Sequence, residues 1–171
     1  MKLQVELDDT KEFTGGWSMD QIPVLSALRA VTFVDKLSIL EFGTGKSTEL
    51  LAKLLRDKSV DYRYVSYEND PTFVCPDSSI ETIFWEVFPA QIVDGIFDLI
   101  INDGPNGVRR KLWYELHRKN VRPGTVLLLD GFYHYVEFLE ALDLNYTYEI
   151  LSDHVAKRGT CWRVVKVLSV R

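Results

Sequence analysis

The stretch SILEFGTGKST, residues 38–48, decides how this chain folds. SILEF (38–42) is short and mostly apolar, which suits a strand buried on both faces, and it ends in the tight turn Gly43-Thr44-Gly45. Beyond the turn, Leu50, Leu51, Leu54 and Leu55 share one side of a helix, with Lys53, Arg56 and Lys58 turned to water. A buried strand, a glycine turn and a helix form the repeating unit of a parallel sheet with helical crossovers.

The alternation continues in both directions. Upstream, Ile22, Leu25, Leu28, Val31 and Val34 recur at three-residue steps along a helix face, with Asp20 as its cap and Pro23 in its first turn. Downstream, YRYVSY (62–67) is a strand ending at Glu68-Asn69-Asp70-Pro71. A weaker strand over 80–85 follows a link that holds Pro71 and Pro76 and is too short for a crossover helix. FDLII (97–101) runs into Asn102-Asp103-Gly104-Pro105; Val108, Leu112 and Leu116 predict the next helix; TVLLL (125–129) ends at Asp130. A helix over 135–142 and two runs, 147–151 and 161–168, joined around Lys157-Arg158-Gly159, complete the pattern, the last two as an antiparallel pair. The expected fold is α/β: a doubly wound, mostly parallel seven-stranded sheet with an antiparallel C-terminal hairpin.

Composition narrows the class. At 171 residues, with 46% hydrophobic and 26% charged residues, the chain suits one globular core: a loop segment over 1–19 and a single domain over 20–171. The net charge of −5 argues against chain-wide nucleic-acid binding, which needs clustered positive charge. Cys75 and Cys161 stand in no metal or redox spacing and read as buried thiols of a reducing compartment. The opening MKLQVELDDT lacks the apolar core of a signal peptide, and no run approaches 18 apolar residues, so the expectation is a cytoplasmic protein outside the membrane.

Four strand ends carry an acid: Glu41, Glu68, Asp103 and Asp130, 27, 35 and 27 residues apart. Each interval is about one strand-helix unit, so the carboxylates should line the sheet edge where α/β folds bind ligands. Three readings of the glycine turn compete. Gly45-Lys46-Ser47 supplies the second half of a phosphate-binding loop, but Leu40 stands where its first glycine belongs. A dinucleotide fingerprint finds Gly43 and Gly45 but meets Thr48 at the third glycine. The third reading is acid-x-G-x-G, Glu41 to Gly45, with Glu68 closing the next strand.

That third pattern resembles the class I S-adenosylmethionine-dependent methyltransferases, which are Rossmann-like. LEFGTGKST (40–48) is similar to the first motif of their small members, DLIINDGP (98–105) to the aspartate-glycine turn after the fourth strand, and PGTVLLLDGF (123–132) to the fifth-strand motif. The resemblance covers residues 20–168 and implies methyl transfer from S-adenosyl-L-methionine, with O-methylation of a small or medium acceptor, neutral or anionic, as the expectation. It implies cofactor contacts from Glu41, Gly43, Thr44, Gly45, Ser47, Thr48, Glu68, Asn69 and Asp103. Physically, glycines at 43 and 45 let backbone approach a bulky ligand, free amides at the helix start favour a carboxylate, and Glu68 can accept from a ribose diol.

Asp103 and Asp130 on neighbouring strands can act on the acceptor, as can His134, four residues past Asp130, as a general base. The same two acids are candidate ligands for a divalent metal. Where metal-dependent catechol-type enzymes carry Asp-Asn, however, this chain has Asp130-Gly131. Arg109 and Arg110, just past Gly104-Pro105, are candidates to clamp an anionic acceptor. His117 and His154 read as surface residues, Glu81 or Glu86 as candidates to contact adenine, and Phe84, Trp85, Phe88 and Trp17 as a roof or as core. The rival class is a non-catalytic cofactor- or partner-binding module on the same scaffold.

Overall fold

The computed structural model describes residues 21–87, 89, 92–104, 108–132, 136–155 and 161–171. Helix α1 (Gln21–Ala30) precedes β1 (Leu37–Phe42), α2 (Lys46–Asp57), β2 (Tyr62–Glu68), β3 (Ile80–Phe84) and β4 (Leu99–Asn102). A 3-10 turn (Val108–Lys111) leads into α3 (Leu112–Leu116), and β5 (Val126–Asp130), α4 (Val136–Asn145), β6 (Tyr146–Val155) and β7 (Cys161–Val170) follow. The seven strands form one sheet in the order β3-β2-β1-β4-β5-β7-β6. Strands β1 to β5 pair in parallel, whereas β7 pairs antiparallel with both β5 and β6. The doubly wound sheet and its antiparallel terminal pair are as the sequence predicts.

Period-two alternation explains how one strand serves two cores. Leu37 and Ile39 of β1, Leu99 and Ile101 of β4, and Val126 and Leu128 of β5 bury against α1 and α2, where Leu25, Leu28, Leu51 and Leu55 meet them. Leu40, Phe42, Ile100, Leu127 and Leu129 face the other way, onto Trp113 and Tyr114 of α3 and Leu142 of α4. The link between β2 and β3 holds no helix; Asp70 and Asp77 instead close local turns onto Thr72 and Ser79. Both cysteines are free and buried. No helix among the described residues is long and apolar enough to cross a membrane.

The segment after β4 departs from the single helix expected over 108–116. Tertiary hydrogen bonds break it up. Trp113 donates its indole N–H to Gly104 O at 2.7 Å, and the Asn120 amide donates to Val93 O and Gly95 O at 2.8 and 2.7 Å. His117 is the clearest correction. Expected on the surface, it has no solvent exposure: its ring stacks between Phe42 and Tyr146, and Nδ1 lies 3.1 Å from the Tyr146 hydroxyl. Trp85 is also core, edge-on to Trp113, whereas Phe84 is exposed. Trp17 and Phe88 lie outside the described residues.

Burial pushes the His117 pKa from 6.5 down to about 3, so the native state holds it neutral. The unfolded chain therefore binds the extra proton, and this contribution to stability is intact above pH 6.5 and lost as pH falls toward 3. Chemical denaturation from about pH 7 to about pH 4.5 should show a steeper acid-side loss for wild type than for His117→Phe.

Candidate functional site

The strand order sets β2, β1, β4 and β5 side by side, and their carboxyl ends bring the glycine turn, Glu68, Asp103 and Asp130 to one edge. Two loops meet there at backbone distance. Gly43 has φ +93°, and a Cβ on it would lie 3.1 Å from Gly104 N and 3.2 Å from Asp103 C. A Cβ on Gly104 would in turn lie 3.0 Å from Gly43 Cα. Gly43 is therefore required by loop against loop, a correction to the expectation that it makes room for a ligand. Gly45 differs: its backbone is extended and its Cβ direction is open, with nothing within 4 Å.

Glu41 lies one residue below the strand end and points to the α1/α2 side, beneath the turn. It is 1% exposed and accepts from the Tyr64 hydroxyl at 2.8 Å and from the Thr48 side chain. Thr48 also accepts the Gly45 N–H at 3.0 Å, which caps α2. Both residues, expected at the cofactor, instead hold up the glycine turn from beneath, and Ser47 is buried beside them. Burial, with the Glu68 charge adding to it, raises the Glu41 pKa to about 8.

Glu68 is 5% exposed, and its carboxylate is fully engaged. Oε1 accepts the backbone N–H groups of Asn69 and Asp70 at 2.6 and 2.7 Å; Oε2 accepts the Thr44 N–H at 2.7 Å and its hydroxyl at 3.1 Å. Asn69 thus meets Glu68 through its backbone.

Asp103 and Asp130 do converge, within hydrogen-bonding reach of one another. Burial, and then the neighbouring Asp130 charge, push the Asp103 carboxyl well above the usual carboxylate range. Arg110 braces the pair: Nη1 donates to Asp130 Oδ2 at 3.0 Å and to Asp130 O at 2.9 Å, and Nη2 to Asp103 O at 2.8 Å. At 2% exposure Arg110 cannot present its guanidinium to an acceptor, which corrects its assignment as a clamp. The side chain of Arg109 and all of His134 lie outside the described residues. Among the described residues no group of three or more His, Cys, Asp or Glu side chains is arranged to hold a metal. Lys46 pairs with Glu49 of its own helix at 2.7 Å.

Asn102 was not anticipated. It is 1% exposed at the end of β4, and neither its amide oxygen nor its nitrogen has a partner among the described residues. Its place beside Asp103 in DLIINDGP was the only available signal.

Strand order, glycine turn and acidic edge together make this the class I S-adenosylmethionine-dependent methyltransferase fold. Among solved structures, a precorrin-6y C5,15-methyltransferase from Geobacter metallireducens GS-15 is similar at a TM-score of 0.64 and 15% identity, over 95% of this chain and 96% of that one. A TehB-like methyltransferase from Corynebacterium glutamicum matches at 0.54 and 16% identity, over 77% and 80% of the two chains. A cofactor-bound structure, Rv0187 from MTB, matches at 0.58 and 16%, over 86% and 78%. No protein-family model and no curated protein matches the sequence.

The chain's residues fit the cofactor of that fold. The side-chain direction of Gly45 is open, the turn lies at the start of α2, and Glu68, its oxygens held by the chain's own donors, stands beside the same turn.

Gly43→Ala and Gly104→Ala should each cost about 1–3 kcal/mol in urea unfolding. Gly45→Ala should stay within about 0.5 kcal/mol of wild type in the same measurement. For Glu41 the sign is opposite to that of His117. The folded chain holds the proton between pH 4.5 and about 8, so its stabilisation is complete below 4.5 and lost as pH rises through 8. Wild type should thus lose stability relative to Glu41→Gln between about pH 5 and about pH 8, by a few kcal/mol at most.

Proposed function

We propose that the protein is an enzyme that binds S-adenosyl-L-methionine and transfers its methyl group to a small or medium acceptor, at oxygen. The observation that carries this reading is the open Gly45 turn beside Glu68, on a sheet of methyltransferase strand order. When bound, the cofactor supplies an electrophilic methyl group on a cationic sulfur. Glu68 would hold the ribose, the start of α2 the carboxylate, and Asp103 the wall of the pocket.

Oxygen is argued from the acid pair. An acceptor hydroxyl gains the methyl group and loses its proton, and Asp130, 19% exposed at its side chain and linked to Asp103, stands at the edge to take that proton. Arg110 keeps both carboxyl groups in place while staying out of the reaction. Since Arg110 is turned inward, an anionic acceptor is supported by Arg109 alone, and His134 is kept as an alternative base on sequence grounds. Two free, buried thiols suit a cytoplasmic setting. A phosphate-binding loop receives no support, because Lys46 is engaged by Glu49 and Glu41 lies under the turn.

A non-catalytic binder on the same fold is favoured by one observation, the saturation of Glu68 by protein donors. Calorimetry separates the readings. S-adenosylhomocysteine should bind wild type in preference to ATP or NAD, and Gly45→Val should weaken it at least about tenfold without unfolding the chain, a steric loss of about 1.4 kcal/mol or more. Asp130→Asn should lower turnover and leave cofactor affinity within about tenfold if that acid serves chemistry. Preferential ATP binding that depends on Lys46 would overturn the proposal.

A further inference from the structure

A carboxylate has about four acceptor directions, and all four of Glu68 are filled from within the chain. The donors are of two kinds. Asn69 and Asp70 lie one and two residues along the same turn and move with Glu68, so Oε1 is permanently occupied. Both donors on Oε2 belong to Thr44, in the middle of the glycine turn and 24 residues away in sequence. The Thr44 hydroxyl also reaches across to the carbonyl of Phe73 in the link between β2 and β3. It has one proton for two acceptors, so neither bond is made at full strength. Thr44 thus straps the glycine turn both to Glu68 and to the segment carrying Phe73 and Val74, which are 49% and 38% exposed at the edge.

We propose that Thr44 is a latch that competes with the ribose hydroxyls of the cofactor for Glu68 Oε2. This inference rests on the cofactor reading above. A ribose diol needs acceptor directions on this carboxylate, and only those held by Thr44 can be vacated without unwinding the turn that follows β2. Binding therefore requires the Thr44 hydroxyl to let go of Glu68, and its one proton then goes wholly to the Phe73 carbonyl. The apparent affinity is the intrinsic one reduced by the fraction of chains whose latch is open. Weakening the latch raises that fraction and tightens binding.

The test is calorimetry of S-adenosylhomocysteine, adenosine and L-methionine with wild type, Thr44→Val, Thr44→Ser and Glu68→Gln. Thr44→Val keeps the side-chain shape and removes the hydroxyl. It should tighten S-adenosylhomocysteine and adenosine by about threefold to thirtyfold, leaving methionine, which has no ribose, unchanged. Thr44→Ser should restore wild-type affinity. Without ligand, hydrogen exchange over residues 71–76 should be faster in Thr44→Val than in wild type. If Thr44→Val binds S-adenosylhomocysteine no more tightly than wild type while Glu68→Gln weakens it, the latch is wrong and the cofactor reading stands. Binding that ignores Glu68→Gln, or no binding by any of the four proteins, overturns both.

Discussion

The contact on which the rest of this structure depends is the meeting of two peptide backbones, at Gly43 and Gly104. The turn after β1 and the turn after β4 approach until a Cβ on either residue would sit about 3 Å from the other's backbone. Strand pairing brings them there: Asp103 N–H donates to Phe42 O at 2.9 Å, and Gly43 N–H donates to Tyr67 O at 2.8 Å, so three strands are clamped at the same level. Trp113, whose indole N–H reaches Gly104 O, fixes the clamp from the α3 side. Thr44 and Gly45 hang from one of these turns and Asp103 from the other.

The acids at this edge are unequal, and burial decides between them. Burial raises the pKa of Glu41 to about 8 and pushes that of Asp103 upward, whereas Asp130 is partly open and stands against Arg110. A row of four similar carboxylates thus becomes a buried support for the glycine turn, an acceptor held by the chain's own donors, and a hydrogen-bonded pair braced by Arg110. Arg110 is central to that pair. A guanidinium that donates to the side chain of one strand end and to the backbone carbonyls of two ties β4 to β5 just where an acceptor would approach. Removing it would leave an acid pair uncompensated in a place with little water.

The two faces of the sheet carry different polar burdens. The α1/α2 side holds Glu41 and Tyr64 in a hydrogen-bonded pair beneath the turn. The α3/α4 side holds a stack of Trp113, Phe42, His117 and Tyr146, with the imidazole kept neutral by its surroundings. These groups give the fold opposite pH dependences, one weakening as acid is added and the other as it is removed.

The sequence by itself determined the strands, their alternation with helices and the acids that end them, because period-two and near-period-four apolar patterns are local properties of a chain. SILEF, FDLII and TVLLL are buried strands at or within two residues of where the pattern puts them, and the link after Glu68 lacks a helix, as its prolines require. Which side chain faces a ligand was decided only by tertiary structure. Glu41 and Glu68 look alike in sequence, each the last acid of an apolar run, one two residues before a glycine and one directly before an asparagine. Glu41 stops one residue short of the strand end and is sealed under α2, whereas Glu68 is the last residue of its strand. Arg110 and Arg109 are neighbours in a basic run, and only the position of β5 explains why Arg110 turns inward. His117 sits in that same basic run, which a one-dimensional pattern reads as a solvated face; the aromatic slot that removes it from water is made by Phe42 and Tyr146, 75 and 29 residues away. Contacts over such separations exist only once the sheet has formed, and no local periodicity encodes them.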